Sequence, residues 1–492
     1  MYQTFIGLEV HIHLLTKTKG FCGCRSAFGD EPNANVCPGC FAYPGTLPAV
    51  NIEALRMGCM VARALNCTIP EKTWFDRKQY FYPDISKNYQ ISQMGSPLGR
   101  NGYIDIEGMI SGKEIKKRVR IKQCHLEEDA GKMIHTGTVS LLDYNRAGVS
   151  LLEIVTEPDL ETGEEAELYI QQLRRLVRYL GVCDGNMEEG SLRADANVSI
   201  NLPGKGLGQR VEIKNLNSSR FVKLGLNYEI ARHGEMMDAG KPIVQETRLW
   251  NENRDETLPM RKKENADDYR YFPDPDLPVF VPDAAFLKTV DDAMPELPLP
   301  RTKRIAAEYG LNAEQAGLIC EEKALADYFE AAVSEVTANG AKLSKTEAAA
   351  RTANWLLQDI KHIMGKQGIA ESEIGGFRLS PRRLAGIVTM AADGKINGKI
   401  ARQALEAVIA EDRDPEDIVK EKGWGLISDP AQIAEALRAV AQKEAAAVAE
   451  AQTAEGKRRS TLSAFLVGKV LAATGGRADP AIVKEQVEAL LG

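Results

Sequence analysis

From Ile6 to His13 apolar and polar positions alternate without a break. Leu8, Val10 and Ile12 fall on one side, and Glu9, His11 and His13 on the other. Side chains in a strand change face at every residue, so this stretch predicts a strand with one face built for a core. Its other face carries a carboxylate and two imidazoles. That row reads either as a polar edge in water or as a place to hold a hard cation. The same period returns downstream. Val119 and Ile121 alternate with Arg118, Arg120 and Lys122, and Glu153 sits inside the apolar run Leu151 to Val155. Arg193, Asp195, Asn197 and Ser199 share the face opposite Ala196, Val198 and Ile200. Val211 to Asn217 reads as the return strand of a hairpin over Gly204–Gly208, with Glu212 and Lys214 polar. The hairpin brings Asp195 and Glu212 onto facing strands. Thr247 to Trp250 adds a short strand.

Helical spacing appears between these strands. Ile52 to Leu65 places Leu55, Cys59, Ala62 and Leu65 on one face. Thr162 and Glu165 form a capping box for a helix that Gly181 ends. Ser218 or Ser219 caps another, with Phe221, Leu224, Tyr228 and Ala231 aligned. The prolines from Pro273 to Pro300 read as a linker. Beyond about residue 300 strand patterns stop, and helical periods occupy 302–308, 323–338, 346–361, 382–392, 400–410 and an Ala/Glu-rich stretch at 432–455. The chain is therefore expected to be α+β, with an antiparallel sheet first and helices after.

Composition narrows this only at the edges. A chain of 492 residues exceeds what one core supports, so about two to four domains are expected. A net charge of −7 argues against a surface built to coat nucleic acid, yet it leaves room for a local basic groove. No apolar window is long enough for a membrane span, and the start shows no leader pattern. The odd number of cysteines, nine, fits a reducing cytoplasm better than a disulfide framework.

Candidate chemistry is concentrated in the first half. Cys22 and Cys24, then Cys37 and Cys40, make two close thiol pairs around a Gly/Pro/Asn-rich loop. Such paired knuckles wrap a tetrahedral zinc, and four protein ligands leave no open position, so the site would be structural. Phe75 to Gln93 interleaves aromatics with cations, Lys78, Tyr82 and Lys87 among them. It reads either as a packed loop or as a surface that stacks a base while its cations meet phosphate. Residues 113 to 122 form a basic strand face, which is either solvated or a phosphate track. Glu127, Glu128 and Asp129 follow it and repel one another unless a cation answers them. In the tail, the glycines of Thr474 to Pro480 and Arg477 suit either a backbone-phosphate contact or a plain turn.

Pooling the polar faces gathers Glu9, His11, Glu127 or Glu128, Glu153, Asp195 and Glu212, an oxygen-rich set that suits Mg²⁺ or Mn²⁺. Lys78, Arg146, Arg193, Lys214 and Arg261 lie beside them in the pattern. Carboxylates holding metal with cations nearby is what phosphoryl transfer needs. No phosphate-binding glycine loop is present, so any ATP would lie on a sheet surface.

Several long motifs resemble one family. They are Gly7 to His11, Phe75 to Asp84, Gln90 to Gln93, Glu127 to Lys132, Asp143 to Gly148, Leu151 to Asp159, Gly185 to Asn197, Glu212 to Ser218, Asp268 to Leu277 and Thr474 to Pro480. The chain is similar over nearly its whole length to the B subunits of the aspartyl/glutamyl-tRNA amidotransferases. The resemblance implies a cradle-shaped catalytic domain of the glutamine-synthetase/guanido-kinase type over 1–293, with the zinc knuckle at 22–40. A helical domain over 294–400 and a tRNA-contacting tail domain over 401–492 would follow. It implies ATP-dependent phosphorylation of the side-chain carboxylate of Glu-tRNA(Gln) or Asp-tRNA(Asn), then amidation by ammonia. The ammonia would come through a channel from an amidase subunit, with a small third subunit clamping the two. No Ser-Ser-Lys amidase pattern occurs here, in keeping with that division. By motif, Glu127, Glu153, Asp195 and Glu212 would be catalytic, and Glu9, His11, Glu127, Asp195 and Glu212 would hold the metal. Lys78, Tyr82, Lys87, Arg146, Arg193, Lys214, Arg261 and Arg477 would meet ATP or tRNA. Lys262, Asn265 and Asp267 depart from the family pattern, as does the Ala-rich tail at 444–454. A zinc-containing tRNA-binding scaffold without chemistry is the competing class, and the acids set beside a basic groove count against it.

Overall fold

The alternating stretches fold as strands of one sheet in a computed structural model that describes residues 2–260, 269–338 and 342–492. In chain order the first unit runs β1 (Gln3–His13), α1 (Ile52–Ala64), β2 (Asp76–Gln79), β3 (Tyr89–Ser92), β4 (Gly99–Ile110), β5 (Lys113–Glu128), β6 (Lys132–Thr136) and β7 (Val139–Asp143). It continues with β8 (Ser150–Thr156), α2 (Gly163–Tyr179), β9 (Leu192–Asn201), β10 (Val211–Lys214), α3 (Ser219–Asp238), β11 (Glu246–Asn251), β12 (Glu256–Pro259), β13 (Phe272–Pro273) and α4 (Ala284–Asp292). Eight strands join in the order β12-β11-β10-β9-β1-β8-β5-β4. Neighbours are antiparallel except β10 and β11, which run parallel because α3 carries the chain back between them.

Alternation decides which face is buried. Ile6, Leu8, Val10 and Ile12 are at most 1% exposed and pack with Leu55, Leu173 and Val222 of the three helices α1, α2 and α3. The opposite face carries the polar residues. Thr162 caps α2 by accepting from Glu165 N, and Ser218 caps α3 by accepting from Phe221 N, but the expected box is not closed, because the Glu165 carboxylate accepts from Glu161 N instead of Thr162 N.

Three expectations change. The basic strand expected at 113–122 runs on to Glu128, so the acids that follow it belong to the same strand. The aromatic segment expected to lack regular structure contributes β2 and β3 to a small sheet with β13. The proline-rich linker is not a free connector. Asp283 caps α4, Val290 is fully buried in the first core, and Phe280 pairs with Thr73.

This unit ends at Leu297, and a second begins at Pro298. The second contains α5 (Pro298–Tyr309), α6 (Ala313–Ile319), α7 (Lys323–Ala338), α8 (Lys345–Asn354), α9 (Lys361–Lys366), α10 (Pro381–Ala392), α11 (Gly398–Glu411) and α12 (Pro415–Glu421). After them come α13 (Pro430–Lys443), α14 (Ala445–Thr453), α15 (Gly456–Ala473) and α16 (Pro480–Leu491). A π-helical turn, Trp355–Ile360, joins α8 to α9. No strand lies in this unit among the described residues. It has two apolar cores, one from Ile305 to Val419 and one from Ile433 to Leu491. The tail boundary expected at 401 thus falls inside the earlier core, where Ala401, Ala404, Leu405 and Val408 are buried.

Candidate active site

Strand register assembles the polar face. β1 lies between β8 and β9, with His11 opposite Glu153 on one side and Arg193 on the other. β5 borders β8 and sets His125 opposite Glu153, with Glu127 two residues further on the same face. His11 Nε2 therefore lies 3.2 Å from Glu153 Oε2 and 3.7 Å from Glu127 Oε1. His125 Nε2 lies 3.5 Å from Glu153 Oε2 and 3.8 Å from Glu127 Oε2. His11, Glu127 and Glu153 each offer a ligand atom, all within 4.8 Å of one another. One imidazole and two carboxylates suit a Mg²⁺ or Mn²⁺ ion.

The electrostatics agree with that donor set. Burial would raise the Glu153 carboxyl, but the hydrogen bond from His11 and the charges of His125, His11 and Lys78 hold it at about 2. Burial works against protonating His11, yet its bond to Glu153 and the charges of Glu153 and Glu127 raise its pKa. Glu9 goes the other way. Burial first, then the charges of Glu153, Glu212 and Asp195, push its carboxyl up. Negative charge on this part of the face exceeds what the fixed cations answer, which is the condition an added cation relieves.

The pooled metal set divides in two. Asn197, not Asp195, lies opposite Glu212, so Asp195 falls level with Lys214. The Lys214 ammonium bridges Asp195 at 2.5 Å and Glu212 at 2.9 Å. Thr247 donates to the other Glu212 oxygen at 2.8 Å, and Asn197 donates to Glu9 at 3.0 Å. Asp195 and Glu212 thus form a separate lysine-bridged pair on the same face.

The three consecutive acids go to three different partners. Glu127 joins the His11 group. Glu128 turns to the other side of the strand, where Lys87 donates to it at 2.6 Å and Ile91 N at 2.9 Å. Asp129 is buried and receives His13 Nε2 at 2.7 Å and Arg193 at 3.0 Å, with Arg146 at 3.4 Å. Burial opposes its charge, but the His13 hydrogen bond and the two guanidinium charges keep its carboxyl well below the usual range. His13 was read from the sequence only as part of the polar row, and His125 was not singled out. The signal was present for both, since each shares a strand face with a chosen residue two positions away.

The remaining candidates scatter. Lys78 lies 5.0 Å from the ring centroid of Tyr269 and 5.9 Å from that of Tyr80. Tyr82 is half-exposed. Arg477 donates to the carbonyls of Gly423 at 2.7 Å and Thr474 at 3.1 Å, which makes it a turn-bracing residue. Arg261 lies outside the described residues. The basic strand is largely answered by acids: Arg118 by Asp105, Arg120 by Asp159, and Lys117 by Glu165 and Glu161.

The cysteines converge. Cys40 Sγ lies 3.7 Å from Cys22, 3.8 Å from Cys37 and 3.9 Å from Cys24. A tetrahedron with Zn–S bonds of about 2.3 Å has edges of about 3.8 Å, so the quartet can hold zinc as it stands. The fully buried Lys19 donates to Cys40 Sγ at 3.4 Å and to the Tyr144 carbonyl at 2.9 Å. The Cys22 hydrogen bond is the main cause that lowers the Cys40 thiol to about 4, with Lys19 helping against burial. A cavity of about 690 Å³ has the knuckle on one wall and Lys87, Tyr89, Glu128 and Asp129 on another.

Residues 4–288 match the family model described as the GatB/GatE catalytic domain, and residues 327–491 match the GatB domain. The chain belongs to that family. It is 44% identical over its full length to the B subunit of the aspartyl/glutamyl-tRNA(Asn/Gln) amidotransferase of Crocosphaera subtropica, covering 98% of that protein. It is 43% identical to the corresponding B subunit of Carboxydothermus hydrogenoformans over 98% of both chains. The B subunit of Thermodesulfovibrio yellowstonii is also 43% identical, over 100% of this chain and 99% of its own. Family membership makes the chain part of an amidotransferase, a carbon–nitrogen ligase. No helix among the described residues is long and apolar enough to cross a membrane.

Proposed function

We propose that the polar sheet face is the kinase and transamidase centre of a glutamine-dependent tRNA amidotransferase. Its substrate is the side-chain carboxylate of Glu-tRNA(Gln), Asp-tRNA(Asn) or both. The observation that carries this reading is the meeting of His11, Glu127 and Glu153 from three neighbouring strands. A carboxylate does not react with ammonia at useful rates, so it must first be activated. In this reading its oxygen attacks the γ-phosphorus of ATP and ADP leaves. Ammonia then forms the C–N bond as phosphate departs.

His11, Glu127 and Glu153 would hold the divalent ion, which neutralises charge on the phosphates when bound. Glu9 would be a further ligand of that ion, and Asp195 and Glu212 complete the acid face, with Lys214 bridging these two. Lys78, whose charge acts on Glu153, would meet the transferred group. Arg193 and Arg146 act through Asp129, which they hold ionised beside the centre. Lys87, Tyr82, Arg261 and Arg477 would meet ATP or tRNA by motif alone. The quartet Cys22, Cys24, Cys37 and Cys40 holds a structural zinc. The same reading includes the cradle architecture and a tail that contacts tRNA. It also includes two partner proteins, an amidase that supplies ammonia through a channel and a small clamp.

Reconstitution tests it. The full chain with its companion subunits, Glu-tRNA(Gln), ATP, Mg²⁺ and ammonium should yield Gln-tRNA(Gln) and stoichiometric ADP. Amide formation that ignores ATP would sink the proposal. Metal analysis of the purified chain should find about one zinc per chain, and Cys37→Ser should lose it.

A further inference from the structure

The phosphorylation reading leaves a cluster of aromatic side chains beside the metal group without a task. β13 pairs with β2, setting Phe272 opposite Arg77, and Gln79 N donates to the Tyr269 carbonyl at 2.9 Å. The chain around Tyr269 to Phe272 therefore runs alongside the strand that carries Lys78 and leads into Tyr80. The Tyr80 and Tyr269 rings meet edge to face at 5.9 Å, and Tyr269 meets Tyr271 at 6.1 Å. The Lys78 ammonium sits over two of these rings.

Two features separate this lysine from its neighbours. Lys87 and Lys214 are each tied to a carboxylate, whereas Lys78 has no carboxylate within ion-pair reach among the described residues. An ammonium held on ring faces keeps its hydrogens free for an incoming anion. The strand that carries Lys78 also reaches the metal group, since β2 pairs with β3 and the Ser92 hydroxyl of β3 lies 3.5 Å from Glu127 Oε2. Burial first, then the charges of Glu127 and Glu153, raise the Tyr271 phenol, and burial first, then Asp84 and Glu127, raise that of Tyr80. The two acids of the metal group are already shielded, with Glu127 6% exposed and Glu153 17%.

Resting on the phosphorylation reading, we propose that Tyr80, Tyr269 and Tyr271 form an aromatic screen with two tasks. They seat the Lys78 ammonium toward the phosphoryl group, and they keep water from the activated carboxyl carbon. The chemistry supplies the reason. An acyl phosphate can lose its phosphate to either of two nucleophiles. With ammonia, a C–N bond forms, the C–O bond to phosphorus breaks, and phosphate leaves with the electron pair and takes up the surplus proton. With water, a C–O bond forms instead, phosphate leaves in the same way, and the original carboxylate returns with one ATP consumed for nothing. With substrate in place, the partly buried rings of Tyr80 and Tyr269 and the 37% exposed ring of Tyr271 would close over the carboxyl group, suppress the second course and strengthen the Lys78 charge. The three tyrosines are positioning residues here.

The test reads coupling, which a merely structural role would not move. The full chain assembled with its companion subunits is given Glu-tRNA(Gln), ATP, Mg²⁺ and ammonium. Inorganic phosphate and amide are counted in parallel, and melting curves report folding. Tyr269→Leu and Tyr271→Leu should raise phosphate released per amide formed by at least about fivefold, while Tyr269→Phe, which keeps the ring face, stays coupled. Four outcomes overturn the inference. One is that Tyr269→Leu and Tyr271→Leu lower phosphate and amide in equal proportion. Another is that Tyr269→Phe is as uncoupled as Tyr269→Leu, which would assign the work to the hydroxyl. A third is a change confined to the KM for tRNA or ATP, which would mark the rings as a base-stacking surface. The last is wild-type protein that makes no ATP-dependent amide, which overturns the functional reading itself and this inference with it.

Discussion

Two carboxylate clusters in the N-terminal unit have opposite electrostatic character. Beneath β11 and β12, Glu229 of α3 is completely buried, yet Arg232 reaches it at 2.7 Å and Arg248 at 3.0 Å, and Thr257 donates to it as well. Arg248 also holds Glu246 at 2.8 Å. Burial opposes the Glu229 charge, but the hydrogen bonds from His233, Arg232 and Thr257 bring its carboxyl to about 2. That cluster closes its own charge. On the polar face, Glu9 is pushed up by burial and by three acids around it, and Lys214 answers only Asp195 and Glu212. Burial and acidity are common to both places. The balance of charge around Glu9 and around Glu229 is what separates the two places, although Glu153 of the polar face is held as low as Glu229.

The comparison breaks most visibly at Glu127. Glu127→Gln should cost at least about 100-fold in ATP-dependent amidation, as expected when a metal loses a ligand. Melting of the metal-free protein should be almost unchanged, because the substitution removes repulsion and not a brace. A large fall in melting temperature would place Glu127 with Glu229 instead.

Glu229→Gln should do the reverse. It leaves buried guanidinium charge unanswered and should cost about 3–5 kcal/mol in denaturant unfolding, with amidation retained where the fold survives. Its pH dependence follows from the sign of the shift. A carboxyl depressed in the fold gives stability that is fully present above its ordinary value of 4.5 and lost as pH falls through about 2. Wild type should therefore lose stability across that acid window more steeply than Glu229→Gln. Parallel curves would remove Glu229 from the account of acid unfolding.

Gly102→Ala separates packing from charge. A Cβ there would meet the Leu65 carbonyl and Cys67 Sγ, each at 2.4 Å, on the apolar side of the sheet. Its cost should be about 1–3 kcal/mol with no change in acid sensitivity. The smallest effect is expected at Glu9→Gln, which should raise the melting temperature of the metal-free protein slightly while Mg²⁺ no longer stabilises it. Equal stabilisation of wild type and variant by Mg²⁺ would take Glu9 out of the metal site.

Much of the polar face was legible because a strand's period is two and each register is pinned by a buried apolar row. Ile6, Leu8, Val10 and Ile12 can face only one way, so Glu9 and His11 had to face the other. Which strands would be neighbours was not legible. The order β9-β1-β8-β5 sets His11 between Glu153 and Arg193, and no local pattern states it. For the same reason Asp195 and Glu212 were pooled with the metal ligands, although the pairing of Asn197 with Glu212 sets them on Lys214. The Glu229 brace escaped notice because a Glu and an Arg three apart on a helix are ordinary on a solvated face. Only the packing of β11 and β12 over α3 buries them. The tyrosine screen depends on Tyr269 and Tyr271 returning beside β2 nearly two hundred residues later in the chain.

Lys19 ties the knuckle to more than zinc. A metal with four thiolates retains surplus negative charge, and this buried ammonium offsets part of it while its other bond grips the Tyr144 carbonyl. Two residues on, Arg146 holds the carbonyls of Ala130 and Gly131 beside Asp129. Without zinc the thiols would take up protons, and Lys19 would keep only its bond to the Tyr144 carbonyl. The disturbance would pass along a short run of backbone to the loop that closes the acid face. In thermodynamic terms, zinc bound by the knuckle would be linked to the geometry of the proposed centre. A zinc chelator would then act as an inhibitor without touching the reacting atoms.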